Sequence, residues 1–95
     1  HLPSYGIDEI LNISELALYP NPTKDYIQID FNLKFSDKID FILYNMLGTK
    51  IYEEYVQLIS GKNHKIVDLR DLPKGVYFLK IITDNGYLYE RIIKH

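Results

Sequence analysis

The side chains that could do chemistry are few and poorly spaced for it. The histidines are His1, His64 and His95; two sit at the chain ends, and His64 lies beside Lys65 with no acid partner close in sequence. Cysteine is absent, which excludes disulfides, thiolate zinc sites and thiol nucleophiles together. No Gly-x-Ser-x-Gly elbow occurs, so nothing announces a hydrolytic triad. Asp37 with Asp40, and Asp68 with Asp71, are carboxylates three residues apart, but neither pair belongs to an Asp-x-Asp-x-Asp-Gly loop. Both pairs read as solvated loop charge, and the Asp68–Asp71 corner is the first place to look for calcium. Tyr52, Tyr55, Tyr87 and Tyr89 could stack on sugar, but cross-strand packing in a thin core is the favoured reading. A chain of 95 residues leaves little room for a deep cleft. The expectation is a non-enzyme with no catalytic residue, no metal ligand and no cofactor.

Two strings carry conformational content instead. Tyr19-Pro20-Asn21-Pro22 stops one strand: each proline removes an N–H and fixes φ, while Asn21 suits a tight turn. Leu72-Pro73-Lys74-Gly75-Val76-Tyr77 reads as a sandwich corner, with Gly75 for a sharp turn and Tyr77 anchoring the next strand.

The elements around them are strands. Leu16, Leu18 and Tyr19 start a short first one. Ile27, Ile29 and Phe31 alternate with Gln28 and Asp30, a half-buried pattern. A polar loop over 32–38 is expected to tuck in Leu33 and Phe35. The stretch 39–46 is apolar on both faces, as in a covered strand. Gly48 is expected to turn the chain into a strand over 49–58, where adjacent Glu53 and Glu54 face opposite ways. A turn over 60–63 precedes a short strand over 65–69. Residues 75–83 and 87–93 pair about Asp84-Asn85-Gly86, a type I′ hairpin signal. The sum is an all-β, immunoglobulin-like antiparallel β-sandwich of about seven short strands. Nine Tyr and four Phe suit such strands.

Composition narrows the class. Hydrophobic content of 46% and charged content of 25% describe a globule rather than a disordered tail. A net charge of −2 offers no basic stripe for nucleic acid. No apolar run is long enough to span a membrane as a helix, and no signal peptide is evident. The chain opens on His1 and has Met46 as its one methionine, which suggests a piece of a longer protein. Residues 1–13 read as a linker or leader and 14–95 as the domain.

Taken in order, the strings resemble the type A C-terminal sorting domain of proteins exported by the bacterial type IX (Por) secretion system. Tyr19-Pro20-Asn21-Pro22 opens it, Tyr44 to Gly48 running into Ile51 forms its middle, Leu72 to Tyr77 matches Leu-x-x-Gly-x-Tyr, and Arg91-Ile92-Ile93-Lys94 is its basic last strand. The resemblance implies an upstream cargo that crosses the Gram-negative periplasm, an outer-membrane translocon that recognises the domain, and delivery to the cell surface or medium. It also implies a sortase-like peptidase that cuts within the leader. The residues it marks are Tyr19, Pro20, Asn21, Pro22, Gly48, Leu72, Pro73, Gly75, Tyr77, Arg91 and Lys94. On physical grounds the closing hairpin would be recognised by strand addition, with Arg91 and Lys94 steering it to an acidic groove, and an exposed edge could also pair two copies. The alternatives are an immunoglobulin- or fibronectin-like module for adhesion or carbohydrate binding, and a passive spacer.

Overall fold

The computed structural model describes residues 12–95. Seven strands fill it: β1 (Ile13–Tyr19), β2 (Tyr26–Leu33), β3 (Asp37–Tyr44), β4 (Lys50–Leu58), β5 (Gly61–Asp68), β6 (Gly75–Thr83) and β7 (Gly86–Lys94). They form two antiparallel sheets, β1-β2-β5 and β4-β3-β6-β7. This is the all-β sandwich the alternation demanded. In the constant-type immunoglobulin arrangement the fourth strand lies beside the fifth. Here β4 has moved to the other sheet, beside β3.

The core is the set of inward positions that the two-residue period selects. Ile27, Ile29, Phe31 and Leu33 of β2 face Ile39, Phe41 and Leu43 of β3, with Tyr77, Leu79 and Ile81 of β6 and Ile92 of β7 completing it. Phe31 and Phe41 meet at 6.0 Å, tilted by 55°. Of the tyrosines among the described residues, Tyr77 alone is buried, so the core is aliphatic and most tyrosines serve the surface.

Local departures have local causes. In β1 the buried Ile13 and half-buried Leu16 and Leu18 are out of phase, so one extra residue must be absorbed; the register slips between Ser14 and Ala17, and Glu15 takes φ 55°. Strand β5 begins at Gly61 rather than 65, because Lys62 and His64 point outward along a ladder with β2; the reversal is only Ile59-Ser60. Strand β2 runs to Leu33, and Phe35 is 48% exposed rather than tucked in. The β6–β7 hairpin is present, but Asp84 and Asn85 keep negative φ, so its turn is not type I′. At the β3–β4 reversal Gly48 does adopt φ 84°, its N–H donating to the Asn45 carbonyl at 3.0 Å.

The packed fold reaches back to Asn12, so a boundary between 13 and 14 falls inside β1. Asn12 is fully buried. Its amide donates to the Phe35 carbonyl (2.8 Å) and Asp37 (3.3 Å), and its Oδ1 accepts from Lys34 N (2.8 Å) and Phe35 N (3.0 Å). Replacing Asn12 by Ala takes the side-chain partner from the part-buried Phe35 N–H and carbonyl and from Asp37, while Lys34 N–H keeps the Asn12 backbone carbonyl at 3.1 Å. The expected cost is about 2–3 kcal/mol, read as a lower urea midpoint at unchanged slope; a midpoint equal to wild type would show that the amide only fills space.

Candidate functional site

The motif segments meet at one end of the sandwich, on the last strand. Strand β1 ends at Tyr19, and the two X-Pro bonds that follow, Tyr19-Pro20 and Asn21-Pro22, are both cis. The exposed Asn21 works as a substitute peptide group: its Nδ2 donates to the Arg91 carbonyl (2.8 Å) and its Oδ1 accepts from Ile93 N–H (3.0 Å). Thr23 continues with backbone bonds, its N–H to the Ile93 carbonyl and its carbonyl from the His95 N–H, each 2.9 Å. Residues 21–23 thus lie parallel to the end of β7 as a short added strand. Pro20 and Pro22 flank Asn21 without bringing an N–H that would need a partner.

The other flank of this end is the corner after β5. Lys94 is 9% exposed, and its Nζ donates to the carbonyls of Leu69 (2.6 Å), Arg70 (3.1 Å) and Leu72 (2.6 Å). Burying an ammonium is costly unless such acceptors converge on it. The side chain expected to face a receptor is therefore turned into the fold. Arg91, three residues earlier, is exposed. Leu72 packs on the core, and Pro73 offers its carbonyl to the Tyr77 hydroxyl at 2.5 Å. That bond is the tyrosine corner of Greek-key sandwiches, a ring anchored in the core whose hydroxyl holds the preceding turn. Gly75 pairs with Lys94 where β6 begins, at φ 154°. Gly48 turns the chain at the same end but is hydrogen-bonded within its own reversal; with Tyr44, Asn45, Met46, Phe78 and Tyr89 it lines a concavity of about 590 Å³.

The structure adds partners that sequence spacing hid. The Tyr19 hydroxyl donates to Asp30 Oδ2 at 2.5 Å, and His64 Nδ1 contacts the other oxygen of Asp30. The His64 and Tyr19 hydrogen bonds hold the Asp30 carboxyl below its usual range, and Asp30 in turn raises the Tyr19 phenol. Asp30 and His64 are directly opposed on β2 and β5, but 34 residues apart in the chain. Thr23 was also missed, although a hydroxyl residue just after a proline turn is a local signal for a backbone bond; its Oγ1 donates to the Tyr26 carbonyl at 2.5 Å.

Other candidates do not assemble. Asp68 is engaged by Arg70, at 2.9 Å to Nη2 and 3.1 Å to Nε. Among the described residues no three His, Cys, Asp or Glu side chains group so as to hold a metal ion. Tyr52 faces inward and donates to Glu54, which also pairs with Lys65, and Tyr55 lies on β4, with β3 and β6 between it and Tyr87 and Tyr89 on β7. The four tyrosines therefore form no single platform.

Near the opposite end of the outer face, Asp40 and Glu53 share a concavity of about 750 Å³ with Asp37 and Asp84. Burial, then the hydrogen bond and charge of Glu53, push the Asp40 carboxyl up to about 6, and one of its oxygens is enclosed without a partner. A carboxyl whose folded pKa is raised stabilises fully below its unfolded value, near 3.8, and that contribution is lost as pH rises through about 6. Two measurements follow from these geometries. Melting of wild type should fall between pH 4 and pH 7 relative to Asp40→Asn, and parallel profiles would remove the pair from the account. Lys94→Met should cost about 2 kcal/mol in urea unfolding, because the Arg70 and Leu72 carbonyls lose their donor; an unchanged midpoint would show that the corner closes without it.

No curated protein matches the sequence. A family model described as the secretion system C-terminal sorting domain matches residues 17–95, which takes in each motif segment described above. The chain belongs to that family, the sorting domains that direct proteins through type IX secretion to the cell surface or the medium.

Proposed function

We propose that the type IX machinery reads the joined end of this sandwich, where residues 19–23, the corner 69–75 and the tail of β7 are held as one unit. The observation that carries this reading is the double tie on β7: Asn21 and Thr23 on its edge, Lys94 into the corner. In this reading Arg91 is the steering cation, and Tyr19, Pro20, Asn21, Pro22, Leu72, Pro73, Gly75, Tyr77 and Lys94 shape the surface it presents. Gly48 contributes by turning the neighbouring hairpin. The domain does no chemistry of its own. Its partners are the outer-membrane translocon, an upstream cargo in the same polypeptide that has crossed the periplasm, and a sortase-like peptidase that removes the domain after passage.

Burial constrains that last step. Asn12 and Ile13 are packed into the fold, so the peptidase would cut on the N-terminal side of Asn12, in the leader; residues 1–11 lie outside the described residues.

The test is a fluorescent reporter carrying a Sec signal, fused ahead of residues 1–95 and expressed in a host with a type IX system. Export is expected with the domain and not without it. Asn21→Ala should reduce export more than it reduces melting temperature, since Asn21 is exposed and its bonds reach only the tail of β7. Reporter reaching the outside equally well without the domain would refute the reading.

A further inference from the structure

The two outer faces of the sandwich differ in character. That of β1-β2-β5 is mostly polar, with Glu15, Gln28, Asp30, Asn32, Lys62 and His64. That of β6 and β7 is apolar and aromatic, and its charged residues, Lys80 and Arg91, are both cations. Lys80 Nζ lies 4.5 Å from the Tyr87 ring centroid and 5.5 Å from that of Tyr89, and the two rings meet edge to face at 5.7 Å. Tyr87 and Tyr89 remain 58% and 52% exposed.

The backbone beside these rings is open. Strand β7 is an edge of its sheet, and Asn21 and Thr23 occupy the outward groups of Arg91, Ile93 and His95. Strand alternation points the N–H and C=O of Tyr87 and Tyr89 to the same side. Among the described residues none bonds to them. Among the described residues the edge is thus half closed by the protein's own chain and half bare, and only an extended backbone fits a row of such groups.

We propose that the bare half of the β7 edge, over 86–90, takes an extended acidic segment of a partner protein as an added strand, with Lys80 and Arg91 receiving its carboxylates. Side chains of an added strand stand about 5 Å from those of β7, within reach of both cations. The charge is the argument for an acidic occupant: β6 and β7 carry no Asp or Glu on their outer face, and the carboxylates farther along that face, Asp40 of β3 and Glu53 of β4, lie opposite Ile82 and Ile42, with Glu53 already paired to Lys50. This deepens the sorting reading and rests on it, by naming the chemistry that the receptor brings to the domain.

The test uses the full chain, isotopically labelled, titrated with a synthetic octapeptide of alternating Glu and Val and with its Lys-Val counterpart. The Tyr87 and Tyr89 amides are expected to shift with the acidic peptide and not with the basic one. Tyr89→Pro removes an outward N–H and leaves the ladder to β6 intact; it should weaken binding at least tenfold. Lys80→Glu, on an exposed face, should reverse the preference. Both variants should melt near wild type yet export a fused cargo poorly. Acidic peptide that leaves both amides unmoved overturns the proposal, as does a dimer in sedimentation paired through Tyr87 and Tyr89, which would make a second copy the occupant. Folded variants exported at the wild-type rate also overturn it while leaving the sorting reading standing. That reading falls only if cargo leaves the cell without the domain.

Discussion

An ammonium group closes this fold. Lys94 lies on the inward side of the last strand, and its charge is met by three carbonyls of the corner that leads into the neighbouring strand. A turn over 69–72 leaves carbonyls pointing together with no ladder to take them, and a buried cation needs acceptors in just that arrangement. Each solves the other's problem. The outcome fixes three things at once: the position of β7 against the corner, the phase of Arg91 and Ile93 on the outside, and the backbone edge that Asn21 and Thr23 then occupy.

Open edges are the standing difficulty of a two-sheet sandwich, and each edge here is managed differently. Strand β1 is bent by the bulge at Glu15. Strands β4 and β5 stand at corresponding edges of the two sheets, where Glu54 pairs with Lys65 and the Lys65 ammonium sits 5.6 Å from the Phe41 ring centroid. Lys65, with Tyr52, holds the Glu54 carboxyl below its usual range. Strand β7 is covered over its second half by residues 21–23, and among the described residues nothing bonds to the outward backbone of its first half.

Much of this was legible in the sequence, because a buried sheet face imposes a period of two. Ile27-Gln28-Ile29-Asp30-Phe31 gave β2, and Tyr77, Leu79 and Ile81 gave β6, without ambiguity. The same rule placed Lys94: two residues beyond the buried Ile92, it had to face inward. The expectation that it steers toward an acidic groove instead turns it outward, because the acceptors that draw it inward lie 22 to 25 residues away in the chain. The bulge in β1 was not legible in that way, because the phase change from Ile13 to Leu16 exists only once Ile13 is counted in the strand rather than in the leader. What sequence could not give was pairing across long separations, such as Asp30 with His64, or the early start of β5, whose outward Lys62 and His64 mimic a turn. The turn at Asp84-Asn85 was misjudged because tolerance of positive φ is not a requirement for it.

The long separations themselves bear on function. Asn21 reaches Arg91 and Ile93 across 70 and 72 residues, nearly the span of the domain. Those bonds cannot form until both sheets have closed, since the ordering cost of so long a loop must be met by the core between. Local strings such as Tyr19-Pro20-Asn21-Pro22 exist in any unfolded copy; their union with the tail of β7 exists only in the finished one. A receptor that reads the united surface distinguishes a folded domain from an unfolded chain of identical sequence, without needing a catalytic group or a cofactor to do so. On the proposed reading the motifs are the two sides of one closure, and segments at opposite ends of the domain would serve a single act of recognition.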